Sequence, residues 1–114
     1  KFDLLRTRPN TVNMLGEKLR ELREAKGLVQ RQVAAELEVD TAYISKMESN
    51  EKPVSRQHLK KLSVLLGIAE DELLTLWLAD KVYDVVKDEE VAIRAMHVAE
   101  DYVLKTKNKK RKSR

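Results

Sequence analysis

From Leu15 to Val103 the apolar residues fall mostly three or four positions apart, and no stretch alternates one by one. That spacing draws a stripe down an α-helix, whereas a half-buried strand needs alternation, so the chain is expected to be all-α. Leu15, Leu19, Leu22 and Ala25 form the first stripe, with Asn13 placed to cap it and Gly27 to stop it. Val33, Ala34 and Leu37 mark a short second helix from about Gln30 to Leu37. Ile44 and Met47 mark a third, capped by Asp40 and ending near Ser49. Pro53 disfavours helix at Lys52, so residues 50–54 read as a loop. Ser55 then caps a fourth helix carrying Leu59, Leu62, Leu65 and Leu66, ended by Gly67.

The fifth helix, Ala69 to about Lys87, places Glu70, Asp71 and Glu72 in its first turn, where the helix dipole favours acids. It is apolar on most sides and so needs two neighbours. A sixth, from about Glu89 to Lys105, carries the stripe Ala92, Ala95, Met96, Ala99, Tyr102 and Val103, a pattern that usually means burial. Residues 1–13 lack helical period and are expected to be a leader outside the fold. Residues 14–68 would then be the main body, 69–105 the C-terminal helices and 106–114 a basic disordered tail.

At 114 residues the chain is one domain's worth, and 42% hydrophobic with 37% charged residues suits a folded soluble protein. No apolar run approaches the roughly 18 residues a membrane helix needs, and cysteine is absent. The expected location is the cytoplasm. Charge is polarised: residues 15–66 carry ten Lys/Arg against eight Asp/Glu, residues 67–104 three against ten, and the last ten residues seven against none. A polyanion is therefore expected to meet the first half.

To read a duplex, a helix must enter the major groove behind short or polar side chains, held by a second helix that sets its angle. In AAELEVDTAYISKME, residues 34–48, Ile44 and Met47 face inward while Thr41, Ala42, Tyr43, Ser45 and Lys46 lie on the other sides. Periodicity alone does not separate this from an ordinary helical bundle. The run LREAKGL, Gln30 opening helix two, Ala34 at the tight contact, YISKME and the LGI at residues 66–68 together resemble the phage-repressor (Cro/repressor, XRE) type of helix-turn-helix. The resemblance covers residues 15–74, a little over half the chain. It implies a five-helix DNA-binding domain, here extended by a sixth C-terminal helix.

The resemblance implies roles as well. Thr41, Ala42, Tyr43 and Lys46 fall on base-reading positions, and Lys46 suits guanine O6/N7. Gln30, Arg31, Ser45, Lys52 and Arg56 would hold DNA phosphates. Arg23 and Glu48 fall where the family places an ion pair. Three positions depart from the pattern. Val29 stands where a capping Ser or Thr is usual, Glu38 replaces the turn glycine, and Asn50 replaces a glycine after helix three. Glu38 either adopts the left-handed conformation or opens the turn.

The expected protein is a homodimeric transcription regulator acting on a roughly palindromic stretch of double-stranded DNA, with the restriction-modification controllers an attractive subclass. Dimerisation is assigned to Leu73, Leu76, Trp77 and Val85, and the acidic second half is a candidate contact for RNA polymerase. The rival class is an antitoxin-like protein that neutralises a toxin and autoregulates its promoter. His58 and His97 fall on different helices and no nucleophile-base pair is visible, so no enzyme, metal site or cofactor is expected.

Overall fold

Residues 14–112 are described by the computed structural model, with side chains to Lys109; the leader and the Asn13 cap lie outside them. These residues form α1 (Met14–Ala25), α2 (Gln30–Leu37), α3 (Thr41–Glu48), a 3-10 turn (Arg56–His58), α4 (Leu59–Leu66), α5 (Glu70–Val86) and α6 (Ala92–Lys112). No strand occurs among them, so the all-α architecture and its sixth helix are borne out. The chain divides into two compact units, one ending at Lys81 and one beginning at Val82.

The first unit is built on the stripes. Leu15 and Leu19 of α1, Val33, Ala34 and Leu37 of α2, Ile44 and Met47 of α3, and Leu59, Leu62 and Leu66 of α4 make one buried core. Val54 joins it from the loop and Leu73 from α5. Each fully buried Leu, Ile or Met contributes roughly 1.5–3 kcal/mol of transfer free energy. α1 is held at its start from far away in sequence. The two Asp80 carboxylate oxygens accept from the Met14 and Leu15 backbone N–H groups at 3.1 and 3.2 Å. Helix N-termini leave their first N–H groups without partners, and an anion there also meets the positive end of the dipole.

The caps differ in detail from expectation. Asp40 and Ser55 occupy N-cap positions with extended backbone, yet neither side chain makes the capping hydrogen bond. α4 is instead entered through the 3-10 turn. Leu73 of α5 is wholly buried in the first unit's core, so the start of α5 packs with the helices that precede residue 69.

That burial also bears on the residues expected at a dimer surface. Leu73, at 0% exposure, has no surface to offer a second chain. Trp77 is half-buried against the same core, and its indole N–H donates to the Val54 carbonyl at 2.7 Å. Arg56 and Lys81 lie over its ring, 5.6 and 4.3 Å from the centroid. Leu76 is half-buried and packed on the core, so of the four assigned residues Val85 alone is open, at 77% exposure.

In the second unit, α6 runs on to Lys112 through residues expected to be a disordered tail. Lysine and arginine are good helix formers, and basic residues suit the negative end of the dipole. Its stripe is not covered as expected: Ala95, Ala99, Tyr102 and Val103 are all exposed.

Asp80→Ala should destabilise the fold by ~1–2 kcal/mol through loss of the cap and its charge, read as a lower urea midpoint. An unchanged midpoint would mean that α1 does not depend on that carboxylate.

Candidate nucleic-acid interface

α2 and α3 meet at a three-residue corner. Glu38 has φ 60 and ψ 47, the left-handed conformation, so the turn closes rather than opens. Its N–H reaches Ala35 O at 3.2 Å and the Val39 N–H reaches Ala34 O at 2.9 Å. The buried Ala34 has no side chain beyond Cβ to hold the helices apart. Asn50, φ 72, makes the corresponding left-handed turn after α3. At the start of α2, Val29 offers no side-chain cap, but Gln32 Oε1 accepts from the Val29 N–H at 2.8 Å. Half of a capping box therefore survives the missing Ser or Thr.

The expected ion pair is present and is the centre of a network. Arg23 Nε donates to Glu48 Oε2 at 2.7 Å and Arg23 Nη2 to Oε1 at 3.1 Å. Both side chains are nearly sealed, at 11% and 5% exposure. Arg23 Nη1 also donates to the Leu28 carbonyl at 2.8 Å, which fixes the turn leading into α2. Gln30 Nε2 adds a third donor to Glu48, reaching Oε1 at 3.0 Å. The Glu48 hydrogen bond raises the Arg23 pKa above the ordinary arginine value; burial opposes this, and the charges of Glu48 and Glu24 add to it. A raised value means that the stabilisation is complete below arginine's ordinary pKa and is lost only above it. On the arginine side, the tie is therefore constant through the near-neutral range.

With its inner edge fixed, α3 turns a polar face outward. Ile44 and Met47 are 0% and 1% exposed, while Thr41, Ala42, Ser45 and Lys46 are exposed. Tyr43 is half-buried: its hydroxyl donates to the Pro53 carbonyl at 3.4 Å and its ring meets His58 edge-on at 6.1 Å. Lys46 and Lys52 are brought together at the end of α3, where Lys46 O accepts from the Glu51 and Lys52 N–H groups at 2.8 and 3.2 Å. Neither lysine forms an ion pair among the described residues. Arg31 is exposed on α2, and Arg56, also exposed, lies over the Trp77 ring. Gln30 differs most from expectation, because its amide is directed at Glu48.

Asp80, the Trp77–Val54 hydrogen bond and the link from Gln30 to Glu48 carry no local mark in the sequence; Gln32 alone does, at the third position after the cap.

Residues 19–73 match the family described as Helix-turn-helix, HTH_3. Control protein C.MunI of a Mycoplasma species is 39% identical over 61 residues, spanning 53% of this chain and 82% of that protein. The crystal structure of the clp gene regulator ClgR from C. glutamicum aligns with a TM-score of 0.50 at 29% identity, over 60% of this chain and 88% of that one. The restriction-modification controller protein C.AhdI from Aeromonas hydrophila is 38% identical over 54% of this chain and 92% of its own, with a TM-score of 0.49.

Glu48→Ala should cost ~3–5 kcal/mol, because it leaves the Arg23 guanidinium nearly buried without a counter-charge. Arg23→Met combined with Glu48→Leu should recover much of that loss. Urea unfolding checks both, and a Glu48→Ala loss below ~1 kcal/mol would mark the pair as an ordinary surface contact.

Proposed function

Because this chain belongs to the XRE-type helix-turn-helix family of DNA-binding transcription regulators, we propose that it is a sequence-specific regulator of the restriction-modification controller kind. In this reading it acts in the cytoplasm as a homodimer on a roughly palindromic operator, with half-sites about one helical turn, ~34 Å, apart. The observation that carries it is the division of α3: Ile44 and Met47 sealed in the core, Thr41, Ala42, Ser45 and Lys46 left open. A helix with that division can lie in the major groove without exposing an oily face.

The roles follow from side-chain chemistry. Lys46 donates to guanine O6/N7, Thr41 and Ala42 pack on thymine methyl groups, and Tyr43 packs on the sugar edge. Ser45, Arg31, Lys52 and Arg56 hold phosphates, each cation contact adding roughly one unit to the salt dependence. Gln30 spends its amide on orienting Glu48, while the Gln30 and Arg31 N–H groups at the start of α2 face the phosphate. RNA polymerase remains a candidate partner for the acidic residues 67–104. Relatives named as a control protein and a gene regulator favour this reading over toxin neutralisation.

Selection of bound duplexes from a random pool, with footprint length and symmetry, tests the operator. On the selected site, Lys46→Ala should lower affinity about 10- to 100-fold and relax the preference at one base pair. An equal loss on all sequences would make Lys46 a phosphate contact.

A further inference from the structure

α6 carries an apolar stripe at Ala92, Ala95, Met96, Ala99, Tyr102 and Val103, continued by Thr106. These positions follow the i, i+3, i+4, i+7 spacing over two heptads, the seam of a helix pair. Ala95 and Ala99 are exposed, Tyr102 is 68% and Val103 52% exposed, and Ala92 and Met96 are half-buried. Most of a helix's stability in a folded protein comes from a covered amphipathic face rather than from propensity.

The order of residues in the stripe says what covers it. Around Ala99 the pattern is symmetric in position: 96 with 102, 95 with 103 and 92 with 106 stand equally far on either side. An antiparallel copy of the same helix would therefore set Met96 against the partner's Tyr102 and Ala95 against the partner's Val103. Ala99 would meet the partner's Ala99 at the axis, a small residue allowing close approach. Charge favours the same orientation. Asp88, Glu89 and Glu90 precede the helix, whereas residues 105–112 hold six Lys/Arg and no acid. Antiparallel pairing brings each acidic end to the partner's basic end, with Glu89 near the partner's Lys109. Parallel pairing would stack the two basic ends on each other.

We propose that α6 is a self-complementary interface that pairs antiparallel with α6 of a second copy about a two-fold axis at Ala99. This rests on the homodimer reading above and moves its contact from the core-facing side of α5 to α6. Such an interface is isologous and closes at two chains.

The absence of cysteine makes the geometry directly testable in the full chain. Under oxidation, Ala92→Cys and Thr106→Cys should each remain uncrosslinked alone and form a disulfide dimer when mixed. Ala99→Cys should crosslink to itself, and Ala99→Asp should give monomers in sedimentation. Lys105→Glu with Lys109→Glu should weaken the dimer about tenfold at low salt and less at high salt. Self-crosslinking of Ala92→Cys would mean a parallel pair and overturn the proposal. A wild-type dimer with no crosslink between the mixed variants would place the interface elsewhere while leaving the homodimer intact. A wild-type chain monomeric at tens of micromolar, without crosslinks, would remove the homodimer itself. If the two charge reversals lower DNA affinity and leave dimerisation unmoved, the basic end serves DNA and the charge argument fails.

Discussion

One carboxylate, Glu48, gathers the helix-turn-helix into a single rigid body. It takes two hydrogen bonds from Arg23 on α1 and one from Gln30 on α2, while itself belonging to the last turn of α3. Arg23 also holds the Leu28 carbonyl in the connection between α1 and α2. Three helices and a turn thus meet at a charge that water scarcely reaches. Core packing alone would let α3 slide or rotate by a fraction of a turn, because apolar contacts are not directional. A bidentate guanidinium–carboxylate pair admits far fewer geometries. The pair's value is therefore chiefly in fixing the angle at which α3 leaves the domain, since a buried pair contributes little net stability over an apolar replacement.

The helices themselves were legible because a period of three to four residues and left-handed stops are local signals. Gly27, Glu38, Asn50 and Gly67 all adopt positive φ at the ends or corners where the pattern breaks. Glu38 was readable only as a departure; its sequence did not say whether the turn would bend or open. The backbone answered by accepting the strain, because Ala34 and Ala35 offer their carbonyls to the corner only in the closed form. The polar outward face of α3 was legible through the inward residues, Ile44 and Met47, more than through the outward ones.

What was not legible depended on partners distant in sequence. Trp77 and Leu73 look alike to a periodicity argument: each is an apolar residue on a helix apolar all round. Leu73 fills the core, whereas Trp77 has a polar nitrogen that finds the Val54 carbonyl and a ring face that takes two cations. Leu73 and Trp77, both assigned to association, thus have partners within their own chain. Conversely, the α6 stripe read as buried is open, because burial of a stripe needs a neighbour that no single-chain pattern supplies.

The Asp80 carboxylate has a bearing on how the chain comes together. It completes the first turn of α1 from 65 and 66 residues away, so the opening helix is finished only when the middle of α5 has docked. Closing so long a loop costs entropy before any contact compensates for it. The match to the family ends at residue 73, short of this lock. The shortest piece able to satisfy its own first helix therefore reaches past the family's boundary.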